Sequence, residues 1–452
     1  MRGIFFYFYL FTSIFVWGQN WTREVVDSSI GEGFIRTSLK LDSRGFPHIL
    51  YDGSSYYHPR VHYAHWNGNF WELEKIDTTL CSLFIFSGNI CLDNSDRPHI
   101  FYYCCPYPTN RFWIKYGRKE GDLWQTEEVD SGDTGGRAPH CEKFSELALS
   151  RDGNPHLCYS WLNLSDSIGE IRYAYKRGND WLIKTIWQDT GSFFQPWLYS
   201  LSFALDTLDR PAVLFTTRPF PDTSYLFLLR FTGSGWKLDT IAKNYPGFLV
   251  YAVRVSENNQ IHILFESFFS IYHAFEINGG WEIERVEGIQ EWPCWMDMVL
   301  SVEEPHIVYS STMEFLTYAY KSGGLWHFEI VDSCHPFCPS LDRDREGRVY
   351  VSYVASDSGS LYFARRDFSP IEEVRRKGLR DVKIYPNPVS SPLHLSFPQF
   401  VSEIKIFDIA GKRVKEEKLS NGKIFLKDIK PGVYILKVKS KREKFTQKLI
   451  IK

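Results

Sequence analysis

The stretch LDSRGFPHILYD, residues 41–52, decides the architecture of this chain, because close copies of it return along the sequence. LDNSDRPHIFYY begins at Leu92, LSRDGNPHLCYS at Leu149 and LDTLDRPAVLFT at Leu205. Asp, Gly and Asn favour a tight reversal of the backbone, and the Pro that follows marks the start of the next strand. The stretch therefore joins two strands of a repeated unit.

A second landmark follows each copy of the turn: a strand, a Gly- or Asn-rich turn and a strand that begins with Trp. VHYAHWNGNFWELEKID at 61–77 and LTYAYKSGGLWHFEIVD at 316–332 are two examples. The leading Trp recurs at spacings of 45 to 57 residues, at Trp21, Trp71, Trp124, Trp181, Trp236, Trp281 and Trp326. Four strands in such a period are typical of a β-propeller blade.

The two ends of the repeat are incomplete in complementary ways. The segment that starts at Trp21 is a fourth strand without the first three strands of its unit. The unit at residues 340–367 has its first three strands but lacks the Trp strand. We therefore predict that the N-terminal strand completes the last of seven blades and leaves no open edge. A count of six or eight blades would mean that one of the weak repeats, near Val250 or near Met296, has been misread.

Composition agrees with an all-β protein of more than one domain. The 452 residues are 44% hydrophobic and 17% aromatic, with a net charge of −2, so nothing indicates nucleic acid as a partner. We predict an all-β fold: a seven-bladed β-propeller followed by a small C-terminal β-sandwich. The expected division is a signal peptide at 1–18, the propeller at 19–368, a linker at 369–381 and a C-terminal domain at 382–452.

The N-terminus has the pattern of a secretory signal: basic Arg2, an apolar run from Ile4 to Val16, and small Gly18 before the expected cleavage site. The alternative is a membrane anchor, but about 13 apolar residues are too few to span a bilayer. The rest of the sequence has no longer apolar run, so we expect no transmembrane segment in the mature chain. Export also allows disulfides among the nine cysteines.

Metal sites are not expected. Cys334 and Cys338 are expected to form a local disulfide, because a zinc site built on them and His335 lacks a second ligand pair. Five histidines follow the repeated turn, but they lie on five different blades and cannot converge on one ion, so packing or hydrogen bonding explains them better: His48, His99, His156, His262 and His306. We predict no metal and no cofactor.

The C-terminal segment carries four short motifs in order: YPNP at 385–388, DIAGK at 408–412, PGVYI at 431–435 and KLIIK at 448–452. With these motifs it resembles the type A C-terminal sorting domain of the bacterial type IX (Por) secretion system. The resemblance implies passage through the periplasm and recognition by the type IX machinery at the outer membrane. The protein would then be secreted or displayed on the surface of a double-membraned bacterium. An immunoglobulin-like tail is the alternative.

The resemblance does not cover the propeller, whose function must come from its loops. Loops that join the second strand to the third, or one blade to the next, open on one face, and here they are long, dissimilar and aromatic. Rings beside charged groups suit a glycan or protein ligand. The predicted ligand-binding residues on this loop-rich face are Asp52, Tyr56, Tyr57, Arg60, Trp161, Arg218, Glu266 and Trp292.

A binding protein is the first hypothesis, and a secreted polysaccharide-cleaving enzyme, a glycosidase or lyase, is the second. The enzyme would use a carboxylate pair, drawn from Asp52, Asp166, Asp222 and Glu266, whose separation sets the chemistry. The sequence contains no nucleophile elbow, phosphate loop or HExxH motif. The turn SRDGNPHL at 150–157 also departs from the Asp-box of sialidases, which disfavours that family of glycosidases.

Overall fold

The computed structural model describes residues 16–17, 21–30, 36–53, 60–77, 86–104, 111–133, 145–163, 168–189, 200–217, 224–244, 249–286, 293–301, 304–311, 314–367, 393–396, 401–408, 411–418, 423–426, 430, 432–440 and 444–451. Contacts divide the chain into two units, Met1–Asp367 and Phe368–Lys452. The first unit contains seven antiparallel sheets of four strands, which we number as blades 1 to 7.

The strands of the first four blades follow in chain order from the inner to the outer strand. Blade 1 consists of Thr37–Leu41, Pro47–Gly53, Arg60–Trp66 and Trp71–Asp77. Blade 2 consists of Phe86–Leu92, Pro98–Cys104, Arg111–Glu120 and Leu123–Asp133. Blade 3 consists of Ser145–Leu149, Pro155–Asn163, Ile168–Arg177 and Asp180–Asp189. Blade 4 consists of Leu201–Leu205, Pro211–Thr217, Ser224–Phe231 and Trp236–Asn244.

Blades 5 and 6 keep this order, whereas blade 7 takes its outer strand from the N-terminus. Blade 5 consists of Leu249–Val255, Ile261–Ser267, Ser270–Ile277 and Gly280–Arg285. Blade 6 consists of Pro293–Ser301, Glu304–Ser311, Phe315–Ser322 and Leu325–Asp332. Blade 7 consists of Pro336–Arg343, Val349–Ala355, Ser360–Arg366 and Trp21–Asp27.

The N-terminal strand closes the ring as the sequence predicts. It runs antiparallel to the third strand of blade 7, with Trp21 opposite Arg366. Both side chains also reach blade 6: Trp21 Nε1 donates to Glu329 at 3.1 Å and Arg366 Nε donates to the same carboxylate at 2.8 Å. A further two-residue strand, Val16–Trp17, runs parallel to the outer strand of blade 6, which has its four strands without it.

The seven inner strands contact one another around the ring, and that of blade 7 contacts that of blade 1. Each pair of neighbours is joined by a polar side chain of one strand and a backbone group of the next. The pairs, in ring order, are Ser38 with Ile90, Asn89 with Leu147, Glu146 with Phe203, Ser202 with Val253, Arg254 with Met298, Asp297 with Leu341, and Asp342 with Leu41. We call this set the inner stitches. They satisfy backbone groups that the free edge of an inner strand would leave unpaired.

In blades 1, 2, 3 and 7 the repeated Trp of the outer strand has a partner in the preceding blade. Its Nε1 donates to a Glu on that blade's outer strand, so the Trp and the Glu of the repeat latch neighbouring blades together. The described pairs are Trp71 with Glu24 (3.3 Å), Trp124 with Glu74 (2.9 Å), Trp181 with Glu127 (3.0 Å) and Trp21 with Glu329 (3.1 Å). Packed apolar clusters fill the spaces between the blades, such as Leu39, Ile49, Tyr51 and Val354 between blades 1 and 7.

The turn that opened the sequence analysis is a three-residue hairpin loop at the opposite end from the loop-rich face. In blade 1, Gly45 N–H donates to the Asp42 carbonyl at 2.9 Å, and Gly45 has φ +83°. This is a type I turn followed by a residue in the left-handed region. Asp96 has the same position in blade 2, and its carboxylate accepts the N–H of Ser43 at 2.8 Å, which joins the two turns.

The second unit contains a four-stranded and a two-stranded antiparallel sheet. The larger has the order Arg413–Lys418, Val401–Asp408, Gly432–Ser440 and Lys444–Ile451, and the smaller pairs Leu393–Ser396 with Lys423–Leu426. Ile404, Ile406, Tyr434 and Leu436 are buried on one side of the larger sheet. Their alternation along the strands makes this side the core of the unit.

Candidate functional site

The eight predicted ligand-binding residues fall into two groups. Tyr56, Tyr57, Arg218 and Trp292 lie outside the described residues, and Arg60 is described only as the first residue of a blade 1 strand. Asp52, Trp161 and Glu266 lie near the ends of second strands, at the loop-rich face of blades 1, 3 and 5. These three do not occupy neighbouring blades, so the described part of the prediction is not one compact site.

Both described carboxylates of the predicted set hold local backbone. Asp52 is buried, and its Oδ2 accepts the N–H of Arg36 at 3.4 Å. Glu266 is buried, and its Oε1 accepts the N–H of Phe269 at 2.9 Å. Burial raises the pKa of Glu266, and this hydrogen bond acts in the opposite direction. Asp52 and Glu266 lie on blades 1 and 5, which are not neighbours, and each carboxylate is engaged by backbone of its own blade.

Trp161 is packed rather than presented as an open platform. The guanidinium of Arg172 lies 3.8 Å from the centre of its ring system, and the ring of Phe112 lies 5.0 Å away. Arg172 is itself held by Glu170 at 2.8 Å and by Asp130 at 3.0 Å. Trp161 therefore covers the junction of blades 2 and 3, and the packing alternative describes it better than ligand binding.

The loop-rich face carries a different feature, which the sequence analysis missed. Nine non-glycine residues in the described part of the chain have positive φ, and four of these are Asp or Asn at Asp96, Asp209, Asn259 and Asn278. The other five are Phe268 (+49°), Phe269 (+59°), Trp295 (+39°), His335 (+46°) and Cys338 (+41°). All five lie at the loop-rich ends of three consecutive blades, 5 to 7. Bulky residues rarely adopt this backbone conformation, and such strain gathers at functional sites.

Phe268 and Phe269 form the whole connection between two strands of blade 5. Ser267 pairs with Ser270, so the loop has only two residues, both with positive φ. This geometry is a type I′ turn, for which Asn-Gly is the preferred sequence. The two side chains are about half exposed, at 49% and 54%. Two rings on strained backbone thus project from the loop-rich face, and Glu266 secures the turn from below.

Blades 6 and 7 add a second aromatic pair and an ion pair. Trp295 and Phe337, at the starts of adjacent inner strands, meet edge to face with ring centres 4.7 Å apart. Both strands are irregular at this point, which re-aims their side chains. Beside them, His335 Nδ1 and Asp357 Oδ1 lie 2.8 Å apart on exposed loops. We call blades 5 to 7 at the loop-rich face, with Phe268, Phe269, Trp295, Phe337, His335 and Asp357, the strained sector.

Charged side chains at the propeller axis are tied into the inner stitches. Arg254 Nη2 donates to Asp297 at 2.7 Å, and Lys40 Nζ lies 3.9 Å from Asp342. Asp342 raises the pKa of Lys40, whereas burial raises the pKa of Glu146. Each of the three carboxylates also accepts a backbone N–H from the next blade. These charges are therefore used in holding the ring together.

The repeated histidines bond within their own blades. His48 Nδ1 lies 2.5 Å from the hydroxyl of Tyr63 on the third strand, and the same His-Tyr pair recurs in blades 2, 3 and 6. In blade 5, His262 Nδ1 lies 3.0 Å from His273 Nε2 instead. Burial lowers the pKa of His48 to about 4, which keeps the ring neutral. Hydrogen bonding is thus the reason for the repeat.

One described group has the composition of a metal site. His65, Glu72 and Glu74 offer ligand atoms within 4.8 Å of one another. However, Glu74 already accepts from Lys119 and from Trp124 Nε1, so the group is part of the latch between blades 1 and 2. The contacts of Glu74 account for its position without a bound metal ion.

The expected disulfide between Cys334 and Cys338 is not formed. Neither cysteine is in a disulfide in the structure. Cys334 is hydrogen-bonded to the carboxylate of Asp332, and burial raises the pKa of its thiol, which disfavours the reactive thiolate. Cys338 lies in the irregular inner strand of blade 7, with φ +41°. The two thiols therefore have different surroundings, and neither is bonded to the other.

The comparison with protein families settles the C-terminal segment. Residues 383–452 match the model of the secretion system C-terminal sorting domain. This segment is a type IX sorting domain. The match confirms the resemblance drawn from the four motifs, and it implies export and interaction with the type IX machinery. It concerns the sorting domain alone and leaves the propeller's ligand open.

Solved structures similar to the chain include two polysaccharide lyases and a lectin. An ulvan lyase of a polysaccharide lyase family, bound to -[GlcA(1-4)Rha3S]-, has a TM-score of 0.53 at 11% identity, over 78% of this chain and 98% of its own. Polysaccharide lyase Uly1 has a TM-score of 0.49 at 9% identity, over 74% and 90%. The Aleuria aurantia lectin, in complex with Fucalpha1-6GlcNAc, has 0.43 at 13%, over 66% and 96%. At such identities the likeness to the ulvan lyase shows the fold alone.

No curated protein sequence gives a significant match to the chain. In the part of the chain that the structure describes, no helix is long and apolar enough to cross a membrane.

Proposed function

We propose that this protein is a secreted or surface-displayed binding protein, whose propeller recognises glycan or protein through its loop-rich face. The sorting domain supports export, and the strained sector supports binding. The observation that carries the proposal is the Phe268–Phe269 turn, where two half-exposed rings occupy backbone that favours Asn-Gly. Such strain persists only where the surroundings enforce it, and here it serves the display of two aromatic surfaces.

The other aromatic residues of the repeat are already used between blades. Trp124 and Trp181 donate to the Glu of the preceding blade, and Trp161 packs under Arg172. In blade 7 the same connection, residues 356–359, is SDSG and has no aromatic residue, so the blade architecture does not require rings at this position. Flat apolar rings suit the apolar face of a sugar or an apolar side chain of a protein ligand.

Five residues predicted from the sequence remain in the proposal. Tyr56, Tyr57 and Arg60 belong to the connection between the second and third strands of blade 1. Arg218 follows the second strand of blade 4, and Trp292 precedes the inner strand of blade 6. In chain order, Arg218 precedes blade 5 and Trp292 follows it. Asp52 and Trp161 make structural contacts, and their contact with a ligand stays a prediction. In this proposal Glu266 positions the turn.

The test compares binding by the full mature chain and two variants on a panel of polysaccharides and cell-envelope proteins. Phe268→Ala with Phe269→Ala should lower affinity for the ligand by at least about tenfold, since two aromatic contacts are lost. Phe70→Ala is the matched control, because this ring is 59% exposed but lies in a turn at the opposite end of blade 1. Equal binding by all three proteins would refute the proposal.

The His335–Asp357 pair favours a second candidate, a polysaccharide-cleaving enzyme. A carboxylate that holds Nδ1 orients an imidazole for proton transfer through its other nitrogen. His335→Gln should then abolish turnover of a bound polysaccharide and leave its binding intact. If the wild-type chain binds a polysaccharide but releases no shortened product, the enzymatic candidate is excluded and the binding protein stands.

A further inference from the structure

The sorting domain differs sharply in charge from the rest of the chain. Residues 383–452 contain 16 Lys and Arg against 6 Asp and Glu, a net charge of +10. Since the whole chain has a net charge of −2, residues 1–382 carry −12. A strongly basic domain attracts acidic surfaces, and this attraction guides both the encounter and the orientation of a partner.

One face of the domain's larger sheet is also unusually apolar. On the strand Gly432–Ser440, Tyr434 and Leu436 are buried, whereas Val433 and Ile435 are 41% and 37% exposed. Ile435 pairs directly with Phe407 on the neighbouring strand, so the two side chains share this outer face. The solvent side of an antiparallel sheet normally carries polar residues. Aliphatic residues at these positions need a reason other than the core.

Basic side chains border this apolar stripe. Lys437 follows Ile435 on the same face, and its Nζ lies 4.9 Å from the centre of the Phe407 ring. Lys405 is the register partner of Lys437 and pairs with Glu416 at 3.0 Å. The face thus combines a small apolar centre with a cationic border, as recognition surfaces commonly do. We call Val433, Ile435, Phe407, Lys405 and Lys437 the docking face.

We infer that the docking face is the surface by which the sorting domain binds the type IX machinery, and that the partner is a protein subunit with an apolar groove edged by Asp and Glu. The family match implies that the machinery interacts with this segment. Two residues of the PGVYI motif, Val433 and Ile435, are exposed although their neighbours Tyr434 and Leu436 form the core. Recognition by the partner explains why these two side chains are exposed. Because the domain has a net positive charge, the complementary surface of the partner is acidic.

The test uses export of the full chain in a host that carries a type IX system. Val433→Thr with Ile435→Thr keeps β-branched side chains on the strand but removes apolar surface. We expect the ratio of surface and medium protein to periplasmic protein to fall about tenfold, as for the loss of central interface contacts. Leu123→Thr is the control, since Leu123 is 67% exposed in blade 2 and lies outside the sorting domain. A chain ending at Asp381 sets the baseline of no export.

A second variant separates docking from stability. Lys405→Glu with Lys437→Glu reverses the charge of the border and leaves the apolar core untouched. It should also retain the protein in the periplasm, with thermal unfolding like that of the wild type. Normal export of both double variants would overturn the inference. If export is normal but binding to vesicles of anionic lipid is lost, the face is a lipid-binding surface instead.

Discussion

Replacing Phe268 and Phe269 by Asn and Gly should remove the ligand contact and relieve backbone strain at the same time. Both residues occupy the left-handed region, at φ +49° and +59°. Asn and Gly adopt this conformation at little cost, whereas other residues lose about 1–2 kcal/mol each. The appropriate reference is Phe268→Ala with Phe269→Ala, which removes the same rings but keeps a strained backbone.

The difference between these two double variants isolates the strain. Each loses the buried half of two Phe side chains, about 1 kcal/mol per ring, because the rings are 49% and 54% exposed. The Asn-Gly variant regains about 2–4 kcal/mol of strain, less about 0.5–1 kcal/mol for the greater freedom of Gly in the unfolded chain. It should therefore be more stable than the Ala-Ala variant by about 2 kcal/mol, and close to the wild type.

Chemical denaturation of a chain that begins at Gln19, followed by Trp fluorescence, measures this difference, and the binding panel gives the second readout. The expected result is a variant as stable as the wild type that no longer binds. Equal stability of the Asn-Gly and Ala-Ala variants would show that the turn is not strained. Retained binding by both would show that the rings are not the contact surface.

Two further predictions concern the ring itself. A chain that begins at Ser28 lacks the closing strand and the Trp21 bond to Glu329, so it should melt well below a chain that begins at Gln19, and equal melting temperatures would contradict closure. Acid should also weaken the fold: the pKa values of His48, His156 and His262 are about 4, against about 6.5 in the unfolded chain. The unfolded chain binds these protons first, so stability is full above pH 6.5 and declines towards pH 4, by at most about 3 kcal/mol for each histidine. His48→Gln should flatten this decline in denaturation curves at stepped pH, whereas parallel curves for variant and wild type would exclude His48 as a contributor.

The blade count could be predicted from the sequence because its signals are local and repeated. The turn after Leu41 and the Trp of each outer strand recur with a regular period, and both mark strand boundaries through turn chemistry. The role of the N-terminal strand followed from the same count, since a missing strand at one end matched a surplus strand at the other. The sorting domain was found from its motifs.

The strained sector could not be predicted in this way. The segment ESFFSIY contains no Gly, Asn or Asp between its strands, so the two-residue turn at Phe268 and Phe269 gives no turn signal. Its geometry is imposed by the pairing of Ser267 with Ser270. The short spacing from Trp236 to Trp281 was the one available indication, because it leaves no room for a longer loop. Composition likewise does not reveal that Asp52 and Glu266 accept backbone N–H groups.

The closing strand fixes the order in which the chain can finish folding. Trp21 and Glu329 are separated by 308 residues, and the strand pairs with residues up to Arg366. Each inner stitch joins a blade to its successor, so blades 1 to 6 can assemble in the order in which the chain emerges, but the strand Trp21–Asp27 must wait unpaired until blade 7 appears. Contacts at such sequence separation form slowly, and a waiting strand offers a free edge to other chains. A chaperone that covers this strand during export would therefore prevent its free edge from pairing with other chains.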